Sequence, residues 1–266
     1  MYLDYWGISE YPFENVSDAR FFFESNSLKM IDEDLGDAIR RHKGAIVLAG
    51  EIGCGKSTIT QHILLSLPEE QYDIALITYS RLTSSEMMLE IAEQLGLSPQ
   101  GDDKNRVIHA LQEHLVANAE QNRHTLICID EAQSIPSLST FEELRLLLNF
   151  QLGDRFLLTL LFVGQPELQR KIAKIPQLQQ RIALNLNIGQ LDLQDAARYI
   201  LHRLHVAGSD RPILTRQAVA IIHRHTAGIP RRINHLMDRC LLVGMRENAR
   251  LIDTKLVTTT MQRYPC

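Results

Sequence analysis

Residues 50–57 read Gly50-Glu51-Ile52-Gly53-Cys54-Gly55-Lys56-Ser57, and this run leaves the surrounding chain few ways to fold. Every fixed position of the pattern G-x-x-x-x-G-K-[ST] is filled. The apolar stretch Ala45-Ile46-Val47-Leu48-Ala49 precedes it, and a segment with helical patterning follows. Strand, glycine turn and helix in that order make a cradle for phosphate. The glycines allow the backbone to turn its N–H groups inward. The helix N-terminus adds the positive end of its dipole. Lys56 is expected to reach the β- and γ-phosphates of a nucleotide, and the Ser57 hydroxyl to bind Mg²⁺. Thr58 is placed toward the α-phosphate. Gly50 through Gly55 supply loop backbone, with no chemical role for the Cys54 thiol.

The rest of the chain repeats the alternation. Apolar runs at 45–49, 74–79, 125–129, 157–163 and 183–188 are expected strands, each read as covered on both faces. Helical patterns occupy 56–67, 85–95, 105–121 and 140–149. The alternation calls for a parallel sheet with helices on both sides. After Gln190 the strands stop, and helices are expected at 193–206, 215–226, 230–246 and from 254. Asp192 and Thr215 are expected N-caps, and Gly228 a helix stop. The expected division is therefore a nucleotide-binding αβα domain over 1–190, with an aromatic N-terminal segment, and a helical lid over 191–266. A length of 266 residues with 45% hydrophobic composition supports one large domain and one small one. The same composition excludes a disordered chain, and no apolar run is long enough to span a bilayer. Asp4 and Glu10 stand where a secretory leader would be basic. Cys54, Cys128, Cys240 and Cys266 fit neither a zinc spacing nor a disulfide framework, which points to a reduced, cytoplasmic setting. His202 and His205, and His223 and His225, have no cysteine or carboxylate to complete a metal set.

A second motif supplies the chemistry. Leu126-Ile127-Cys128-Ile129-Asp130-Glu131 is an apolar strand that ends in two acids. Adjacent carboxylates at a buried strand end call for a charge to serve. Asp130 is expected to hold Mg²⁺, largely through water, and Glu131 to orient and polarise the attacking water. A glutamate beside the aspartate, in place of a distant glutamine, favours an ATPase over a Ras-type GTPase.

With these motifs in place the sequence resembles the AAA+ ATPases of the GspA/ExeA/MshM type, the ATPases of the general secretion pathway and the MSHA pilus. The TniB/TnsC-type transposition ATPases are related. The resemblance runs through Tyr5-Trp6-Gly7-Ile8, Pro12-Phe13, the phosphate loop, Ile129-Asp130-Glu131-Ala132-Gln133, Leu144-Arg145-Leu146-Leu147-Leu148-Asn149, Val163-Gly164-Gln165-Pro166-Glu167-Leu168, Gln180-Arg181-Ile182 and Gly228-Ile229-Pro230-Arg231-Arg232-Ile233-Asn234. It implies a P-loop NTPase fold: a five-stranded parallel αβα sandwich followed by a small all-helical lid, with ATP bound between them. It also implies roles. Gln165, at the end of the strand lying between the first and third, would sense the γ-phosphate; Asn149 is the alternative. Arg231 would fold back onto the phosphates while Arg232 faces elsewhere, and Arg181 would act as an arginine finger on the ATP of a neighbouring subunit. Tyr11–Phe13 would lie near the adenine pocket with Gly228–Arg231 across from it, whereas Trp6 and Phe21, Phe22 and Phe23 are read as packing.

Charge adds one more expectation. Residues 1–190 carry 16 Lys+Arg and 26 Asp+Glu, whereas residues 191–266 carry 12 and 6. A basic lid and an acidic core suit head-to-tail homo-oligomers, rings or filaments assembled with ATP. The implied partners are an envelope secretion or pilus protein or, in the alternative reading, duplex DNA in a regulator of transposition. No membrane insertion is expected of this chain; any place at the inner face of the inner membrane would come through partners.

Overall fold

The computed structural model describes residues 2–15, 18–98, 103–153 and 155–264. The chain opens with a short helix α1 (Tyr2–Trp6), a 3₁₀ turn (Ala19–Phe21) and helix α2 (Asn26–Arg40). Strands and helices then alternate: β1 (Ala45–Gly50), α3 (Lys56–Ser66), β2 (Tyr72–Ile77), α4 (Ser84–Gln94), α5 (Lys104–Glu120) and β3 (His124–Ile129). A 3₁₀ turn (Ala132–Ser134), α6 (Leu138–Leu147) and two short strands, β4 (Gln151–Leu152) and β5 (Arg155–Phe156), lead to β6 (Leu158–Gly164). Helices α7 (Glu167–Ile172) and α8 (Pro176–Gln179) precede β7 (Ile182–Ile188). The chain continues through α9 (Leu193–Val206), α10 (Arg216–Thr226), α11 (Pro230–Arg246) and α12 (Thr254–Arg263).

The chain forms two compact units. One comprises Leu28–Ile52 and Ile59–Ile188; the other comprises the N-terminal segment through Ser27, Gly53–Thr58 and the chain from Gly189.

The first unit is built on a five-stranded sheet in the order β2-β3-β6-β1-β7, with every pairing parallel. Parallel strands put all five carboxyl ends on one edge, the edge where open α/β sheets bind ligands. Register there sets Ala49 beside Gly164 and Asn187, and Ile129 beside Phe162. Strands β1, β3 and β6 are buried along their whole length. The outer strands β2 and β7 are only partly covered. This corrects the expectation of cover on both faces for all five: β7 alternates apolar with exposed residues because one of its two faces is open to solvent. A Cβ at Gly50 would stand 2.7 Å from the Ile188 carbonyl oxygen, so the last residue of β1 has room only for glycine.

The second unit has its own core. Trp6 is completely buried with Tyr2, Ile8, Phe13 and Phe21 among residues of α9 to α12. The Trp6 indole N–H donates to the Leu241 carbonyl at 2.8 Å. Gly244 makes room for the ring, since a Cβ there would lie 2.6 Å from Trp6 Cζ2. Arg203 is buried too, stacked 4.8 Å over the Phe21 ring. It donates to the Tyr199 hydroxyl and the Glu14 carbonyl, Tyr199 donates to Asn234, and Asn234 donates to Asn15. The N-terminal segment is thus bolted to the helical unit. The division expected from sequence had grouped it with the sheet; its aromatics bury their area against helices instead. Asp192 and Thr215 cap α9 and α10 with their side chains. The stop of α10 falls one residue earlier than expected, on the left-handed Ala227, with Gly228 (φ 70°) following. A Cβ at Gly228 would lie 2.0 Å from the Leu191 carbonyl oxygen, which explains the glycine.

Candidate functional site

The phosphate loop adopts the backbone its glycines allow. Gly53 and Gly55 have φ of 83° and 99°, a region other residues rarely enter. A Cβ at Gly55 would meet nothing within 4 Å, so conformation alone demands glycine there. Gly53 is also crowded: its Cβ would lie 2.7 Å from Arg231 Cβ. Helix α3 begins at Lys56, which is buried, while Ser57 in the same turn is exposed. The first turn of α11 meets the loop. Pro230 starts that helix without needing a hydrogen-bond partner for its nitrogen. The Arg231 amide then donates to the Gly53 carbonyl at 3.2 Å. Sequence reading expected Arg231 at the phosphates through its side chain; its backbone is already on the loop. Its guanidinium, like that of Arg232, is exposed.

The two carboxylates stand at the carboxyl edge of the sheet. The Asp130 amide continues the β3–β2 ladder by donating to the Ile77 carbonyl at 2.9 Å. Glu131 then turns left-handed (φ 50°, ψ 34°), a strained conformation for a residue with a side chain. Its amide donates to Asp130 Oδ1 at 2.8 Å, and its carbonyl accepts from the Ser80 hydroxyl at 2.8 Å and the Ser134 amide at 2.8 Å. These bonds hold the strained turn. Lys171 supports it from below, with its ammonium donating to the Gln133 and Ile135 carbonyls at 2.6 and 2.7 Å.

The Glu131 carboxylate is held by two amides. Gln133 Nε2 donates to Glu131 Oε2 at 2.5 Å, and Gln165 Nε2 donates to the same oxygen at 3.3 Å. Gln133 Oε1 in turn accepts from the Gln165 amide N–H at 3.0 Å. Strand β6, which ends one residue before Gln165, lies between β3 and β1, so Gln165 emerges beside the acids. Asn149 is elsewhere, two residues past α6, and its side-chain oxygen accepts from Arg181 Nη2 at 3.2 Å. Arg181 Nη1 donates to the Leu148 carbonyl at 3.3 Å, and the guanidinium lies 5.9 Å over the Phe156 ring. Gln165 therefore joins Glu131, while Asn149 joins Arg181. Cys128 lies inside β3; burial, and then the Asp130 carboxylate, push its thiol far above the ordinary range, which leaves it inert.

The sequence around this site matches a known family. Residues 39–172 match the AAA domain family, half of the chain. The chain belongs to it. Among AAA relatives it is 32% identical over 255 residues to General secretion pathway protein A of Aeromonas hydrophila, covering 95% of this chain and 46% of that protein. The chain thus spans about half the length of that relative. In fold it is similar to the Aeropyrum pernix ORC2 protein in ADPNP–ADP complexes, with a TM-score of 0.69 and 14% identity, covering 92% of this chain and 71% of that one. The Thermotoga maritima RuvB Holliday junction branch migration motor gives 0.60 and 17%, covering 96% and 73%. An AAA P-loop fold of this kind implies nucleotide binding.

Three side chains that bond to Glu131 or its turn were not singled out from sequence: Gln133, Ser80 and Lys171. Gln133 sits inside the quoted Asp-Glu-Ala-Gln run, two residues from Glu131, so its position was visible although its bond was not. Ser80 and Lys171 come from distant segments, and nothing local marks them. Phe13, expected near adenine, is buried in the helical core. It borders a cavity of about 280 Å³ with Glu14, Asn15, His235, Asp238 and Arg239. Among the described residues no helix is long and apolar enough to cross a membrane.

Proposed function

We propose that this AAA protein binds ATP with Mg²⁺, hydrolyses it, self-associates, and couples turnover to the assembly of an envelope secretion or pilus system. The observation that carries hydrolysis is the Glu131 carboxylate, steadied by Gln133 and Gln165 at the carboxyl edge of the sheet. A carboxylate so placed takes a proton from water as the water attacks phosphorus. Lys56 and the loop amides neutralise charge developing on the phosphates. Ser57 and Asp130 are hard oxygen donors that would hold Mg²⁺. When bound, that ion offsets phosphate charge. Arg231, whose amide bonds the loop, reports the filling of the loop to α11.

Arg181 is the proposed contribution to a neighbouring active site. In the single chain it is bonded to Leu148 and Asn149, so assembly must release it. The secretion or pilus role is supported by the 32% identity to General secretion pathway protein A. A second reading, an ATPase acting on duplex DNA in transposition, is favoured by the basic excess after residue 190 and by the fold shared with a Holliday junction motor.

Glu131→Gln is the test of hydrolysis. The variant should bind ATP in calorimetry and lose about 10²–10⁴-fold in turnover; wild-type turnover would remove Glu131 from the reaction. Turnover per subunit should rise with protein concentration and lose that rise in Arg181→Ala. Steeply salt-dependent binding to duplex DNA would favour the second reading.

A further inference from the structure

A second basic site lies at the opposite end of the sheet. A cavity of about 350 Å³ is lined by Arg40, Arg41, His42, Lys43, Arg155 and Phe156. No carboxylate lines it among the described residues. It sits where α2 ends and β1 begins. At about 3.3 Å per residue, the six residues of β1 put it some 17 Å from the phosphate loop at the other end of that strand.

The cavity is held open by packing. His42 is left-handed (φ 51°), and its ring stacks on His124 at 3.9 Å and 3°. A Cβ at Gly44 would stand 3.1 Å from the Phe156 ring, so the glycine lets β5 approach. The hydrogen bonds fix both imidazoles. Thr159 Oγ1 donates to the Lys43 carbonyl at 2.7 Å, so it accepts from His124 Nε2–H at 2.8 Å. Arg155 Nη2 donates to His42 Nδ1 at 3.2 Å, which leaves that ring neutral. Burial first holds both rings below the ordinary histidine range, followed by Arg155 for His42, and by His42 and then Arg155 for His124. Among the described residues the site's charge therefore comes from three guanidiniums and one ammonium. Of these, only Arg41 makes an ion pair among the described residues, an exposed one to Asp37 at 3.4 Å. Four cationic residues line this one cavity, Arg40 with its guanidinium over Gly36 and Arg41 paired back to Asp37, and a lining so rich in cations suits a multiply charged anion read chiefly by Lys43 and Arg155.

We propose that this cavity binds a compact phosphoryl anion of the pyrophosphate class, independently of the phosphate loop. Guanidiniums read phosphoryl oxygens through paired N–H groups. The cations gather around one hollow instead of running as a stripe, which suits a small anion better than an extended nucleic-acid backbone.

The test is calorimetry with inorganic pyrophosphate on the full chain carrying Lys56→Ala, which silences the loop. We expect saturable binding by this variant, weakened at least about tenfold by adding Arg155→Gln or Lys43→Gln, both exposed positions whose change leaves the far-UV spectrum unaltered. The imidazole NMR signals of His42 and His124 should shift with pyrophosphate and stay still in the Arg155→Gln protein. No binding by the Lys56→Ala chain, or binding indifferent to Arg155→Gln and Lys43→Gln, overturns the proposal. So does a short DNA duplex that binds through these residues and is not displaced by pyrophosphate.

Discussion

Gly244 and Trp6 form a pair whose coupling can be measured. Replacing glycine by alanine inside a helix ordinarily stabilises by about 1 kcal/mol, because the chain loses less freedom on folding. At Gly244 the new methyl would sit 2.6 Å from the buried Trp6 ring, and overpacking of that kind costs about 1–3 kcal/mol. The two effects oppose each other. Gly244→Ala should therefore be destabilising by up to about 2 kcal/mol in the wild-type background. Trp6→Ala alone removes a fully buried indole and its bond to Leu241, a loss of about 3–5 kcal/mol. In that background the clash is gone. The nearest remaining neighbour is Leu256 Cδ1 at 3.3 Å, the end of a flexible side chain. Gly244→Ala should then stabilise by about 1 kcal/mol, reversing its sign. The assay is urea unfolding of the four proteins by far-UV circular dichroism. Trp6 is the only tryptophan, so its fluorescence identifies the transition of the helical unit wherever it is present. An equal gain from Gly244→Ala in both backgrounds would refute the reasoning.

Three further outcomes are expected. Gln133→Ala removes a charge-assisted bond to Glu131 and orphans the Gln165 amide; steady-state kinetics should show a fall in kcat of about 10-fold, equivalent to about 1.4 kcal/mol, with KM little changed, and an equal rise in KM would place Gln133 in binding instead. His124 is pushed down to about 3 by burial, then by His42 and Arg155, so it stays neutral in the folded chain while an unfolded histidine takes a proton below about 6.5. Stability should be level above that pH and decline below it by at most about 1.4 kcal/mol per pH unit, and His124→Gln should flatten the decline in urea titrations across pH 4–7. Arg203→Ala breaks a buried network and should cost about 3–5 kcal/mol in the transition followed by Trp6 fluorescence; a loss under about 1 kcal/mol would mean the N-terminal segment is held by its aromatics alone.

Much of the architecture was legible because it rests on local signals. Each of the five long strands is rich in apolar residues, though β7 alternates them with polar ones, and the expected positions fall within two residues of those observed. Helices α9 and α11 start and stop where their caps and periodicity placed them. The elements that escaped are short or locally ambiguous. Helix α2 is mostly polar and carries Gly36, and only its second half is buried. Helices α7 and α8 span six and four residues, too few for a period to declare itself. The site divides the same way. The phosphate loop and the Asp130–Glu131 pair are contiguous motifs, so spacing revealed them. The clamp on Glu131 joins residues 80, 131, 133 and 165, and no single-sequence pattern announces a contact across 34 residues. The attachment of the N-terminal segment to the helical unit was hidden for that reason too, with Trp6 and Leu241 separated by 235 positions.

The bond from Arg231 N–H to the Gly53 carbonyl joins two main-chain groups, so no substitution of the arginine other than proline, which lacks the N–H, removes the donor. Removing the guanidinium would take away a charge while leaving the mechanical tether in place. Charge and physical linkage at this spot are separable properties: one belongs to a side chain, the other to the path of the polypeptide.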